Sequence, residues 1–112
     1  MVSALALTEV LAAIWGKVAR GELDDELAAT LDRAFTTDVR RGRFIALPLT
    51  DAVVVRSLDC VRRHRLRGAD ALQLASALLA READPDVNTM AVFDRRLRAA
   101  AGAEGLALLP AV

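Results

Sequence analysis

Several residue types are scarce or missing. Tyrosine is absent from the 112 residues, and cysteine, histidine, tryptophan and lysine occur once each, as Cys60, His64, Trp15 and Lys17. One cysteine excludes an internal disulfide framework. One histidine leaves no second imidazole at a metal-ligand spacing. Only three prolines and six glycines accompany a hydrophobic fraction of 54%, a composition that excludes a disordered chain. Net charge is missing too: 15 basic and 15 acidic side chains cancel, so the whole molecule exerts no attraction on nucleic acid. Long apolar runs are also lacking. The stretch Val2–Val10 is interrupted by Thr8 and Glu9, and Lys17 and Arg20 follow. That is far short of the roughly 20 apolar residues that cross a bilayer. With no basic segment ahead of it, a signal peptide is not expected. A cytoplasmic protein without a membrane span is the reading, organised as a single domain over residues 1–112.

Basic charge is supplied almost wholly by arginine, and it is unevenly placed. Between Arg40 and Arg67 stand eight arginines against Asp51 and Asp59, while the segments before and after are net acidic. A basic middle between acidic ends suits a protein that holds an anion in one place and a cation in another. The plain alternative is a solvated helix face. The run Arg62, Arg63, His64, Arg65, Leu66, Arg67 reads first as a solvated helix end, with contact to a phosphate backbone, without sequence readout, as the alternative. His64, within it, reads as a surface residue, and Cys60 as a buried small hydrophobe.

Hydrophobic spacing divides the chain. Ser3 caps a helix over Ala4–Ala19 with Leu7, Leu11, Ile14 and Val18 on one face, and Gly21 stops it. Asp24 and Asp25 open a second helix with Leu27, Leu31 and Ala34 as its inward stripe. Phe44–Leu47 reads as a strand closed by Pro48. Thr50 caps a third helix with Val54, Leu58 and Val61 inside, running into the basic segment and Gly68. The next, Ala69–Ala80, is apolar nearly all round and should be buried on most sides. A strand over Thr89–Phe93, a helix over Arg95–Ala101 capped by Asp94, and a strand over Leu106–Leu109 complete the chain. Apolar strands alternating with helices predict an α/β fold with a short parallel sheet and helices on both faces. The opening on two helices is unusual for that class, and a strand before Ser3 would complete it.

Three acids stand where packing does not require them. Glu9 lies within the first helix, off its main apolar stripe; the plain reading is a solvated glutamate. Asp70 falls in the first turn of the most apolar helix, where the helix dipole alone would account for it. Asp94 follows a strand and precedes a helix, as an N-cap does. The carboxyl end of a parallel strand is also where open α/β sheets place ligands.

Taken in order, the acids form a pattern. Leu66-Arg67-Gly68-Ala69-Asp70-Ala71-Leu72-Gln73-Leu74-Ala75 resembles the "L-x-x-x-D-A-L-x-L-A" motif of the PIN-domain family, as in VapC-like toxins. Met90-Ala91-Val92-Phe93-Asp94-Arg95-Arg96-Leu97, with Ala99, Ala100, Ala101 and Gly105-Leu106 after it, resembles that family's next segment: a strand, an Asp, "R-x-L", then "A-x-x-x-G-L". Ser3-Ala4-Leu5-Ala6-Leu7-Thr8-Glu9-Val10 looks like its "S-x-L-x-x-x-E-V" helix. The resemblance implies a three-layer α/β/α PIN-like fold. It also implies a metal-dependent endoribonuclease, the toxin half of a type II toxin–antitoxin pair. Glu9, Asp70 and Asp94 would be its catalytic, metal-binding acids, facing a common cavity and holding Mg²⁺ or Mn²⁺; Arg62, Arg63, Arg65 and Arg67 would lie against RNA. Hard divalent cations take oxygen ligands, and Mg²⁺ often takes only one or two carboxylates. The partners implied are an RNA substrate, a VapB-like antitoxin and a second copy of the chain.

Two departures from the family pattern stand out. The family opens with a central strand carrying a further acid, in a form like "D-T-S-A-L", which the residues before Ser3 do not supply. An N-terminally shortened domain with its first central strand missing is the expectation, with impaired cleavage and self-association through unpaired strand edges. Val92 stands where the family often has Thr or Ser, and its side chain donates no hydrogen bond. The competing reading is a non-catalytic PIN-like module for dimerisation or partner binding. A phosphoacceptor response regulator is a poor fit, since it requires a lysine late in the sheet.

Overall fold

Helix starts are set by side chains that accept the first free amides. In the computed structural model, which describes residues 2–44 and 46–111, the side chain of Ser3 accepts from Ala6 N, Asp24 from Leu27 N, Thr50 from Val53 N and Asp94 from Leu97 N. Each such cap is worth about 1 kcal/mol, and all four fall where the sequence places them. The elements run β1 (Val2–Ser3), α1 (Ala4–Ala19), α2 (Asp25–Arg40), β2 (Ala46–Leu47), α3 (Asp51–His64), α4 (Gly68–Ala83), β3 (Thr89–Ala91), α5 (Arg95–Ala103) and β4 (Ala107–Leu109). The protein is mixed α/β, with five helices and parallel strand pairs among the described residues. The chain divides into two units, Met1–Pro48 and Leu49–Val112.

In the first unit, Val2 pairs with Ala46 and Ser3 with Leu47, in parallel. The short strand β1 thus precedes α1, in the place where the sequence reading found none. Of the expected strand Phe44–Leu47, Ile45 lies outside the described residues. Leu7, Leu11, Ile14 and Val18 form a half-buried stripe on α1, as their spacing predicts. The face of α2 is different from the prediction. Leu27 and Leu31 are 47% and 42% exposed, Ala34 is exposed as well, and Ala28 is the fully buried residue. Asp32, half-buried, accounts for the rotation: it accepts hydrogen bonds from Trp15 Nε1 at 2.9 Å and Thr36 Oγ1 at 2.9 Å, which turns its face of α2 toward α1.

In the second unit, β3 and β4 are parallel, with Thr89 opposite Ala107, Met90 opposite Leu108 and Ala91 opposite Leu109. The ladder continues past β3, where Val92 N donates to Leu109 O at 2.9 Å. Helix α4 is the centre of this unit: Leu74 and Leu78 are 0% and 1% exposed. Around them pack Val53 and Cys60 of α3, Leu97 and Ala101 of α5, and Leu106. The inward stripe of α3 is Val53, Ser57 and Cys60, one position off the predicted Val54, Leu58 and Val61, which are 46%, 48% and 38% exposed. Small side chains face α4, whose own buried positions Ala71, Ala75 and Ser76 are also small. Ser57 is tolerated there because its hydroxyl donates to Val54 O at 2.6 Å. Helix α3 ends at His64, earlier than the expected Gly68, because Arg65 adopts a left-handed conformation (φ 56°, ψ 35°); Gly68 instead opens α4. Among the described residues, no helix is long and apolar enough to cross a membrane.

Candidate active site

The second unit holds two of the predicted acids at helix starts, near enough for the charge of Asp94 to act on Asp70. After Val92, the chain leaves the β3–β4 ladder through Phe93, which is 86% exposed, and reaches Asp94. One carboxylate oxygen of Asp94, Oδ2, accepts from Leu97 N at 2.9 Å and starts α5. The other oxygen accepts no hydrogen bond among the described residues, so the cap uses half of the carboxylate. Val92, at the position where a hydroxyl was sought, is 6% exposed and belongs to the core.

Asp70 has a different setting. It is the third residue of α4, and the residue at the cap position, Arg67, makes no side-chain capping bond. Asp70 is half-buried and makes no hydrogen bond among the described residues. The start of a helix favours a negative charge. Even so, burial pushes the Asp70 carboxyl above its ordinary range, the negative charge of Asp94 pushes it further, and Arg67 opposes both. Two carboxylates close enough for the charge of one to act on the other, with oxygens left unbonded, form a donor set suited to a hard cation. Their hard oxygens and small number fit Mg²⁺ or Mn²⁺ completed by water and phosphate oxygens.

Glu9 stands on α1 in the first unit, exposed to solvent. Among the described residues, no group of three or more His, Cys, Asp or Glu side chains is disposed to hold a metal ion. The arginines of the basic run are all exposed. Arg63 is engaged within the fold: its guanidinium lies 3.1 Å from Glu104 Oε1 and 3.7 Å from Asp59 Oδ2.

Three positions escaped sequence reasoning. Arg98 on α5 donates to Val92 O at 2.7 Å and Pro110 O at 2.9 Å, tying together the ends of the two strands just before Asp94. His64, expected at the surface, has a side chain only 14% exposed, and its Nε2 lies 2.8 Å from Glu104 Oε1. Glu104 in turn accepts at its backbone carbonyl from Arg81 at 2.6 Å, so this one residue links the ends of α3, α4 and α5. None of these has a local signature, since each acts on a residue distant in sequence. Cys60 is buried as expected, and burial, then Glu104, raises its thiol's proton affinity.

A mixed α/β chain with paired acids at a strand end and a helix start fits the class to which the motifs point. Two relatives match it over 109 residues at 37% identity, covering 97% of this chain and 72% of theirs. They are Ribonuclease VapC45 of Mycobacterium tuberculosis (strain CDC 1551 / Oshkosh) and Ribonuclease VapC49 of Mycobacterium tuberculosis (strain ATCC 25618 / H37Rv). No family profile matches the chain. No solved structure matches it either. The chain belongs to the VapC-like PIN-domain family.

Proposed function

We propose that the protein is a metal-dependent endoribonuclease, the cytoplasmic toxin component of a type II toxin–antitoxin system, with Asp70 and Asp94 as its cation-holding acids. The observation that carries the reading is the Asp70–Asp94 pair: Asp70 is half-buried, unbonded and raised in proton affinity first by burial and then by the charge of Asp94, in a chain whose relatives are named ribonucleases. A Mg²⁺ or Mn²⁺ ion, when bound, supplies positive charge at the scissile phosphate and acidifies an attacking water. The chain's own part is positional. Asp94 is fixed by its bond to Leu97 N, and Arg98 fixes the strand ends behind it. Asp70 is held on the first turn of a helix whose inner face is fully packed. The exposed cations of the basic run, Arg62, Arg65 and Arg67, favour a polyanion, with Arg63 contributing from its ion pairs.

Partner binding belongs to the same proposal. Val54, Val55, Leu58 and Val61 leave an apolar stripe exposed along α3. Such a surface supports association with a VapB-like antitoxin or a second copy of the chain. The test is incubation of the protein with single-stranded RNA and Mn²⁺, alongside Asp70→Asn, Asp94→Asn and Glu9→Gln. Cleavage that needs Mn²⁺ and disappears in the two aspartate variants is expected. Mn²⁺ should also raise the melting temperature of the unaltered protein and leave that of Asp70→Asn in place. An unaltered protein that neither cleaves nor responds to Mn²⁺ refutes the proposal.

A further inference from the structure

The second unit carries a cavity of about 310 Å³ lined by His64, Arg65, Arg96, Ala99 and Ala100. No acidic side chain lines it. Arg65 and Arg96 are exposed, and neither has an ion-pair partner among the described residues. Their neighbour Arg63, by contrast, is paired with Glu104. Arg65 is the one non-glycine residue with positive φ among the described residues. A left-handed conformation costs an ordinary side chain roughly 1–2 kcal/mol. Here that conformation ends α3 and sets Arg65 on the cavity wall. The ring of His64 is fixed by its bond to Glu104. Ala99 and Ala100 add methyl groups, so the cavity combines two guanidinium groups with an apolar surface.

Its position in the chain matters as well. Arg96 lies in the first turn of α5, the helix that Asp94 caps. Arg65 lies in the connection to α4, whose first turn holds Asp70. The same two helix starts therefore supply both the paired acids and the unpaired guanidinium groups. The acids alone repel a phosphate; the guanidinium groups attract one.

We infer that this cavity is a nucleotide subsite, in which Arg65 and Arg96 hold a phosphodiester group of single-stranded RNA and the Ala99–Ala100 surface receives its sugar or base. The inference rests on RNA being the substrate and deepens that reading. Planar guanidinium groups bind phosphate oxygens in pairs. The volume lies at the lower end of the range for small-molecule sites, which suits one nucleotide. The phosphate held here is distinct from the scissile one, so the subsite works without a divalent cation.

The test measures binding and leaves chemistry aside. A fluorescently labelled 12-nucleotide single-stranded RNA is titrated in EDTA with Asp70→Asn protein, and with the same protein carrying Arg65→Gln, Arg96→Gln or both. Arg41→Gln, an exposed arginine of the first unit, is the control. Each cavity variant should weaken binding roughly tenfold, the loss expected of one charge-assisted contact. The double variant should also flatten the dependence of log affinity on log salt by about 0.7, the value for one phosphate contact on a single strand. Adenosine monophosphate should shift the ¹³C methyl resonances of Ala99 and Ala100, and should fail to do so in the double variant. Unchanged affinity and salt slope in the double variant overturn the subsite. So does an acidic peptide that binds through Arg65 and Arg96 where RNA does not, for the cavity is then a protein-docking site. Arginine-dependent RNA binding by a protein that cleaves nothing sustains the subsite and removes the nuclease reading.

Discussion

Removing the Glu104 carboxylate should destabilise the second unit by an amount its geometry sets. The side chain is 11% exposed, its Oε1 lies 2.8 Å from His64 Nε2, and Arg63 approaches to 3.1 Å. A hydrogen bond to a charged group contributes about 1.5–3 kcal/mol. The Arg63 side chain is 57% exposed, so its pairing adds roughly 0.5 kcal/mol or less. Glu104→Ala should therefore cost about 2 kcal/mol, which for a chain of this length lowers the melting temperature by roughly 8 °C. Glu104→Gln, whose amide oxygen still accepts from His64, should cost about half as much. Urea unfolding followed by circular dichroism measures both. A double-mutant cycle with His64→Ala isolates the pair, with an expected coupling near 1.5 kcal/mol.

The same contact has a pH signature. The His64 hydrogen bond, opposed by burial and assisted by Arg63, holds the Glu104 carboxyl below its ordinary range. A carboxyl that titrates lower when folded adds stability above its unfolded value, near pH 4.3, and loses it as pH falls through the folded value. The stability gap between the unaltered protein and Glu104→Gln should thus be full at pH 7 and narrow steadily as pH falls below the unfolded value. A coupling under about 0.3 kcal/mol, or a gap that does not narrow as pH falls below the unfolded value, would refute the argument that this carboxylate holds the helix ends together.

Asp94→Asn should keep the α5 cap, since Asn caps as well as Asp, whereas Asp94→Ala should lose about 1 kcal/mol in urea unfolding; both should abolish cleavage. Asp70 titrates higher when folded, so its ionised form opposes folding, an effect that sets in as pH rises through the unfolded value and is complete above the folded one. Asp70→Asn should accordingly be as stable as the unaltered protein at pH 7 or up to about 0.5 kcal/mol more stable, and a loss above 1 kcal/mol would contradict the site reading. Arg67→Ser should supply α4 with a capping hydroxyl worth about 1 kcal/mol while removing a charge that favours ionised Asp70. Thermal melting should rise, and half-maximal Mn²⁺ binding should move to higher pH.

Helix starts were legible because a cap is a local event: Ser3, Asp24, Thr50 and Asp94 each act on an amide three residues away. Helix faces were less so. Size alone favoured Leu27 and Leu31 on α2 and Val54, Leu58 and Val61 on α3 as the inward residues. The fold instead turns Asp32 toward Trp15, and lays Ser57 and Cys60 on the small residues of α4. Large aliphatic residues are left outside, an outcome that hydropathy cannot anticipate when close helix approach outweighs side-chain size. Asp70 and Asp94 stand out as candidates through their motifs. Arg98, His64 and Glu104 do not, because their contacts depend on strand ends and helix ends that meet only in the folded unit.

The start of α4 does not use Asp70 as a cap. A helix with a buried inner face would ordinarily begin with Ser, Thr, Asp or Asn at its cap. Here the cap position holds Arg67, which caps nothing, and the acid stands three residues later without bonding back to the free amides. A stabilising role would leave Asp70 hydrogen-bonded and lowered in proton affinity; the carboxyl is unbonded and raised. Asp94, by contrast, satisfies both demands, capping with Oδ2 and leaving its second oxygen unbonded. Of the two acids, then, Asp70 is the one that caps nothing and accepts no hydrogen bond among the described residues. Asp70 and Asp94 would hold any bound cation, whose positive charge would offset both the burial and the like charge that oppose ionisation of Asp70.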